Sequence, residues 1–590
     1  MNLGTNHKNS LSKLLRLTPK SLKLRMVYEL FAMILISIME ILIMVLVVPL
    51  LSTLTTGETN SQIFESLFNA LGFTSPDGRI AALCTTLLIF YLIKSIIASL
   101  ATYSQIQFSQ KFEESISRSL LISIISQPYE FHLSNNSSIL INKVSKEVDQ
   151  IKKTLISLFA AFTESLIVLA LLGFVLINNP LGSIGSVFVV LLSGALFLRM
   201  TKNRLVQLGL KLNKESAVAN QHLMQSLHGI KEIKIRSLDR YFVNRYIASN
   251  TIYKRTEGSY LFISRLPAIA FELIAILGLI TSIFLLYYTK TDHSSVTQSL
   301  GILVAVSFRL IPSSNRIIVG LNDLKYSRNS IESTVKMIQN SDRGLEKICI
   351  EHFSKKIEFK KVTYTYASEE SPVVENLSFT IKTGEKIGII GESGSGKSTI
   401  LDLLLGLIQP TKGSIAIDDL TFNGTHMRWG KVIGYVAQNT YLADDTLRNN
   451  VAFGFDPLEI SESRVNACIE LSHLSRIAHE DPAGLNQILG EHGSKISGGE
   501  KQRIGIARCI YQDPEIIVLD EATSALDSET EQIVMNNLFN LQPRKTFIIV
   551  AHRLATIAKC DKVLLINGGT VRRIMVGEEI ATYISEAINL

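Results

Sequence analysis

Nine consecutive residues, Gly391-Glu-Ser393-Gly394-Ser-Gly396-Lys397-Ser398-Thr399, have the types and spacing to hold a phosphate. They fit the pattern G-x-x-x-x-G-K-[ST], between an apolar strand (Lys386-Ile-Gly-Ile-Ile390) and an apolar helix (Ile400–Leu407). Glycines let successive backbone N–H groups turn inward around an anion, and the helix amino terminus adds a favourable dipole. Lys397 then supplies positive charge to the β- and γ-phosphates of ATP, and the Ser398 hydroxyl suits Mg2+. The competing reading, a Gly/Ser-rich turn, leaves the lysine and the strand–helix context unexplained.

A second constellation lies downstream, where Glu515-Ile-Ile-Val-Leu-Asp520-Glu521 reads as a buried strand ending in two carboxylates. Asp520 at the strand tip suits the outer shell of Mg2+, and Glu521, pointing to the other side, suits polarising an attacking water. Alone, such a run is an ordinary strand meeting solvent. Beside a phosphate loop it reads as the hydrolytic half of a nucleotide site.

These groups need an α/β scaffold, and the chain supplies one only in its carboxy-terminal part. Of 590 residues 47% are hydrophobic and 19% charged, which argues against disorder and against a fully soluble enzyme. A formal net charge of +7 is too weak at this size to point to nucleic acid, and none is expected as a partner. Five cysteines show neither zinc-binding nor disulfide-framework spacing.

The apolar runs crowd the first 320 residues. The first, Tyr28–Leu51, would be about 36 Å long as a helix, enough to cross a hydrocarbon core of ~30 Å. It is too long for a signal peptide's apolar region and no small-residue cleavage site follows it. Five more candidate spans follow: Ile80–Tyr103, Leu155–Ile177, Leu181–Arg199, Pro267–Tyr288 and Leu300–Val319. The third and fourth are separated by Asn178-Asn179-Pro180, a tight turn. Lys and Arg concentrate in the amino-terminal arm and in 200–262 (Lys202, Arg204, Lys211 and Lys214 among them). That bias places both termini and the two long loops in the cytoplasm. Within those loops apolar residues recur at helical spacing, as in Ile139, Val144, Val148 and Ile151. The membrane helices are therefore expected to continue into the cytoplasm and to be joined by short tip helices near Pro128–Leu140 and Gln225–Lys231. An amphipathic surface helix or a small inserted domain is the alternative.

A third motif, Lys495-Ile-Ser497-Gly498-Gly499-Glu500-Lys-Gln-Arg503, resembles the LSGGQ signature of ATP-binding cassette (ABC) proteins. The resemblance extends over the carboxy-terminal third. Tyr366 matches the aromatic that stacks on adenine, Gln438 the Q-loop, Ser524-Ala-Leu-Asp527 the D-loop, His552 the switch histidine, and Gly490-Glu-His-Gly493 the X-loop of exporters. The departures are Ile496 for Leu and Glu500 for Gln; neither removes the Ser497 hydroxyl or the glycine backbone. The resemblance implies catalysis by Glu521 with His552 and Gln438, and Mg2+ held by Ser398, Gln438 and Asp520. Ser497, Gly498, Gly499 and Asp527 would contact nucleotide across two facing cassettes. With one cassette per chain the working unit is expected to be a homodimer, a heterodimer being the alternative.

Six spans followed by a cassette resemble the ABC exporter half-transporter, that is, an α-helical membrane domain plus an α/β P-loop NTPase domain of type I (type IV) exporter architecture. The expected organisation is a basic arm at 1–25, a membrane domain at 26–335, a linker at 336–355 and a nucleotide-binding domain at 356–590. Ionisable residues inside the spans are costly unless they face a cavity or a partner. Lys94, Arg309 and Arg316 read as a basic patch on the pathway, suited to an anionic head group such as a diphosphate. Glu164, Arg265 and Glu272 read equally well as structural pairs or interfacial groups. Ile38-Met-Glu40, Phe90-Tyr91 with Lys94, and Arg309-Leu-Ile-Pro-Ser-Ser-Asn-Arg316 look similar to PglK-type lipid-linked oligosaccharide flippases. That resemblance implies ATP-driven movement of an amphipathic, anionic lipid-linked substrate out of the cytoplasmic leaflet of a bacterial-type inner membrane, with Glu40 also on the pathway. Export of peptides or lipophilic small molecules is one alternative, and an ATP-gated channel or regulator is another.

Overall fold

A computed structural model describes residues 19–588 apart from 57–61, 71–72, 74, 179, 290–292, 342–346, 367–368, 423–425, 542–543 and 552. Over 175–198 and much of 267–307 it describes backbone but not side chains. The chain divides into two compact units, Met1–Gln127 with Phe131–Arg343, and Pro128–Glu130 with Gly344–Leu590.

The first unit is helical. Its elements are α1 (Lys20–Thr56), α2 (Gln62–Ala70), α3 (Pro76–Ile125), α4 (Tyr129–Ser134, whose Tyr129 and Glu130 fall in the second unit), α5 (Ser137–Asn142), a π-helical turn (Lys143–Glu147), α6 (Val148–Asn178), α7 (Pro180–His228), α8 (Ile230–Arg236), α9 (Asp239–Thr289), α10 (His293–Tyr326) and α11 (Arg328–Ser341). Among the described residues, Lys20–Leu54, Pro76–Ile125 and Ser137–Phe174 are each long and apolar enough to cross a membrane. The other three expected spans lie on α7, α9 and α10, partly outside the described side chains. Helices α3, α7 and α9 have 50, 49 and 51 residues, about 75 Å each and more than twice a bilayer core. They run on without a break beyond the expected spans, as the helical spacing of the loops predicts.

The tips differ in detail. The first carries two short helices, α4 and α5, and Asn136 caps the second by accepting from the Ser138 N–H. At the second tip α7 persists to His228 and the short helix falls at Ile230–Arg236, five residues later than expected at its start. Helix-forming residues continue to position 228, and Gly229 supplies the break. Asn178 ends α6 and Pro180 opens α7, where a missing N–H costs nothing. The segment expected as a linker is structured at both ends: α11 continues to Ser341, and Lys347–Cys349 is a strand of the second unit. The helical core includes Met33, Phe112, Ile116, Leu120, Val148, Ile151, Ile331 and Val335.

The second unit contains β1 (Lys347–Cys349), β2 (Lys356–Tyr364), β3 (Val374–Lys382), β4 (Lys386–Gly391), α12 (Lys397–Leu404), β5 (Lys412–Ile417), β6 (Leu420–Phe422), β7 (His426–Arg428), β8 (Ile433–Val436), α13 (Leu447–Val451), α14 (Glu462–Leu471), α15 (Ser475–Glu480), α16 (Gly498–Tyr511), β9 (Ile516–Asp520), α17 (Ser528–Phe539), β10 (Thr546–Val550), α18 (Leu554–Ile557), β11 (Lys562–Asn567), β12 (Thr570–Val576) and α19 (Glu578–Ile588). Six strands form one sheet in the order β12-β11-β4-β10-β9-β8, parallel except for the β11–β12 hairpin. A four-stranded antiparallel sheet, β3-β2-β5-β6, and the parallel pair β1-β7 complete the strands. Strand β9 is apolar on both sides, with Ile517 and Leu519 in one core cluster and Ile516 and Val518 in the other. This is the continuous apolar run that a parallel strand covered on both faces requires.

Candidate functional site

Strand order decides which loops meet. In a parallel sheet the carboxyl ends of all strands lie along one rim, where ligands bind. Here adjacent strands β4, β10, β9 and β8 deliver the phosphate loop, the segment holding His552, the Asp520-Glu521 pair and the Gln438 segment to that rim. Val550 pairs with both Ile389 and Asp520, and Val436 pairs with Leu519, so the four ends are level. Motifs far apart in sequence thus become neighbours. His552 itself lies outside the described residues.

The phosphate loop has the shape its glycines predict. A Cβ on Gly391 would sit 2.4 Å from the Ile566 carbonyl and 2.7 Å from Ser395 Oγ. Gly394 and Gly396 hold φ of +79° and +98°, which side chains other than glycine's rarely tolerate. Lys397 opens α12, is 7% exposed, and donates from Nζ to the Gly391 and Glu392 carbonyls at 2.8 Å each. Its ammonium therefore stands over the loop. Ser395 Oγ is buried without a hydrogen-bond partner, as a hydroxyl aimed into an anion cradle would be. Ser393, Gly394 and Ser398 remain exposed. The Tyr366 hydroxyl lies 3.3 Å from Thr399 Oγ1, which holds that aromatic beside the start of α12.

The two carboxylates sit in different surroundings. Asp520 Oδ2 accepts from the Tyr435 hydroxyl at 3.3 Å. Burial pushes the Asp520 carboxyl up, the Tyr435 bond opposes this, and neighbouring Glu521 adds to the rise. Asp402, the one carboxylate of α12, is pushed up to about 6 by burial and then by Asp520. Half-buried carboxylates near enough to raise one another, with the Ser398 hydroxyl at the same rim, are a donor set fitting a divalent cation. Glu521 adopts φ +50°, a conformation disfavoured for any side chain with a Cβ, while its N–H is held by the Val550 carbonyl at 3.0 Å. Its Oε2 accepts from Gln438 Nε2 at 2.8 Å. Gln438 thus meets the Glu521 side of the site in this structure.

The signature residues sit at the amino terminus of α16. Ser497 caps it: its Oγ accepts from the Glu500 N–H at 3.3 Å while Glu500 Oε2 accepts from the Ser497 N–H at 2.7 Å. Ser497 and Gly498 are exposed, leaving this helix end accessible, and a Cβ on Gly499 would lie 3.0 Å from the Ala525 carbonyl. Asp527 caps α17, accepting from the Thr530 N–H at 2.9 Å. Gln502, which the motif reading passed over, is 5% exposed and joins the signature helix to the turn after Glu521. It donates to Ser524 Oγ and accepts from the Ala525 N–H, both at 2.9 Å. Its place one turn into α16, directly behind the signature, was the available signal.

In the membrane unit the predicted basic residues are brought together, but with carboxylates. Glu40 and Glu164 are 2% and 3% exposed. Lys94 pairs with Glu40; Arg309 bridges Glu40 at 2.6 Å and Glu164 at 3.2 Å; Arg316 reaches Glu164 at 2.7 Å. Ser313 Oγ donates to Glu164 at 2.6 Å. Three cations facing two carboxylates leave one positive charge over, and Arg316, whose side chain is 59% exposed, is where it is most accessible. The patch is thus a compensated network rather than bare cations, as burial of charge demands. Arg265 and Glu272 are exposed on α9.

Residues 26–310 match the family model of the ABC transporter transmembrane region and residues 374–524 that of the ABC transporter. The ATP-dependent lipid A-core flippase of Burkholderia orbicola (strain AU 1054) is 30% identical over 456 residues, 75% of this chain and 74% of that protein. The mitochondrial iron-sulfur clusters transporter ATM1 of Kluyveromyces lactis is 33% identical over 374 residues, 61% of this chain and 50% of that protein. The solved structure of a bacterial Atm1-family ABC exporter with ATP bound has the same fold, with TM-score 0.79 at 22% identity, covering 96% of this chain and 98% of that one.

Proposed function

The chain belongs to the ABC transporter family, with a membrane domain fused to an ATPase domain that hydrolyses ATP to drive transport; we propose that two copies form a homodimer that moves an anionic, lipid-linked substrate out of the cytoplasmic leaflet. Each phosphate loop holds one ATP, with Lys397 against the β- and γ-phosphates and Tyr366 against the base. Ser398, Gln438 and Asp520 are the residues that would hold Mg2+, which when bound offsets charge on the phosphate oxygens. Glu521 accepts a proton from the attacking water, and Gln438 keeps that carboxylate in place until nucleotide arrives. The exposed Ser497 end of α16 completes the γ-phosphate site of the facing copy. The single observation carrying the hydrolytic part is the level rim on which Lys397, Asp520, Glu521 and Gln438 converge.

For the cargo, the support is the network's excess of one cation over its carboxylates, with Arg316, paired to Glu164, as its most exposed member, together with a lipid A-core flippase among the relatives. A diphosphate head group matches a guanidinium fork. The ATM1 relative, named for iron-sulfur clusters, favours a second reading, a small cargo that is not a lipid. ATPase stimulation of the purified protein by a panel of polyprenyl diphosphates, lipid A and lipophilic small molecules that are not lipids separates them. Lipid diphosphates are expected to stimulate most, and Arg316→Gln to abolish that stimulation while leaving basal turnover intact. Stimulation by the non-lipid compounds alone would transfer the assignment to the second reading. Glu521→Gln is expected to bind ATP yet lose turnover by about a thousandfold; near-normal hydrolysis would remove Glu521 from its role.

A further inference from the structure

The turn from Glu521 to Leu526 carries the hydrolytic carboxylate at one end and leads into α17 at the other, so its position is part of the chemistry. Packing fixes it only in part, through Ala522 and Leu526, which are buried. A cavity of about 110 Å³ lies beneath, lined by Leu519, Glu521, Thr523, Met535, Arg553 and Thr556, and a side chain without packed neighbours loses their restraint. Hydrogen bonds supply the rest: Gln502 bonds Ser524 and Ala525, and the Arg553 guanidinium bonds two of the turn's carbonyls.

Arg553 Nη2 donates to the Leu526 carbonyl at 2.8 Å and the Ser524 carbonyl at 3.3 Å, while Nη1 pairs with Glu531. Glu531, on α17, is 5% exposed. Its other oxygen accepts from Thr523 at 2.8 Å and Thr556 at 2.7 Å. One buried carboxylate therefore ties three segments together: the turn through Thr523, α17 through itself, and the stretch after β10 through Arg553 and Thr556. Arg553 also follows His552 directly in the chain. We infer that Arg553, locked by Glu531, is a positioning residue for hydrolysis that spans the turn and the His552 segment and so holds Glu521 in register with the nucleotide. The inference rests on Glu521 being the hydrolytic carboxylate.

Arg553→Lys tests it in the full-length protein in lipid vesicles, because an ammonium keeps the charge pair but cannot span a carboxylate and two carbonyls as a planar fork does. The expected result is a kcat lower by about tenfold with the KM for ATP within about twofold. Thr556→Val removes one bond to Glu531 and leaves the charges untouched; a fall in kcat of about threefold with unchanged KM is expected. Should the lysine variant not fold, the valine variant decides. Wild-type kcat in either folded variant, or a kcat loss matched by lost ATP affinity, overturns the inference. Glu521→Gln is run alongside. If it abolishes turnover while Arg553→Lys runs at full rate, only the role of Arg553 falls; if it retains turnover, the assignment of Glu521 falls first.

Discussion

Position 500 carries a carboxylate where the signature pattern has an amide, and the two side chains do the same local work. Glu500 closes a reciprocal cap with Ser497, and its acidity adds a favourable interaction with the first turn of α16. A glutamine reaches the same N–H and forgoes only the charge. Glu500→Gln should therefore change stability by less than about 0.5 kcal/mol and turnover by less than about twofold, whereas Glu500→Ala should cost about 1 kcal/mol. Chemical denaturation of the two variants checks this; a loss in Glu500→Gln as large as in Glu500→Ala would mean the charge itself, not the cap, is what position 500 provides. The departure from the signature pattern is thus conservative in geometry, because the hydroxyl of Ser497 and the glycine backbone stay at the exposed helix end.

The elements show which parts of the site sequence could reveal. Each motif announced its own strand or helix, since a phosphate loop needs a strand before it and a helix after it. The order β4-β10-β9-β8 was not legible, because strand neighbours depend on long-range packing and not on local pattern. Hence the Gln438–Glu521 bond and the Gln502 and Arg553 contacts emerged only with the sheet. In the membrane unit Arg309 and Arg316 lie seven residues apart, two turns along α10, and both reach Glu164. It could not show that Glu40, on α1, would come to the same place. Close approach of helices is equally silent in sequence: a Cβ on Gly320 of α10 would meet Ala161 Cβ and the Ser157 carbonyl of α6, each at 2.6 Å. Neither can yield without parting the helices. Gly320→Ala should therefore lower stability by about 1–3 kcal/mol despite its better helix propensity. Thermal unfolding in detergent reads the sign, and a higher midpoint would show that α6 and α10 are not in fixed contact there.

At the scale of the whole molecule the issue is whether one cassette can work alone. Each phosphate loop faces an open side, and the signature end of α16 that would close it is itself exposed. If closure requires the facing copy, the two sites share one event and cannot turn over independently. Mixing makes that measurable. With wild-type and Glu521→Gln chains co-expressed in equal amounts, random pairing leaves about a quarter of the dimers wholly wild type. Coupled sites should then give turnover near that quarter, because a mixed dimer stalls when one site cannot hydrolyse. Independent sites would give about half, in proportion to the intact chains. A linear fall across a series of mixing ratios would exclude the shared cage even if the purified protein is dimeric, whereas a fall with the square of the wild-type fraction ties hydrolysis to closure. The same series with transport as its readout asks whether cargo movement follows the square as well. If transport falls more steeply than ATPase, mixed dimers hydrolyse but do not pump, and closure of both sites is needed for the membrane helices rather than for the chemistry.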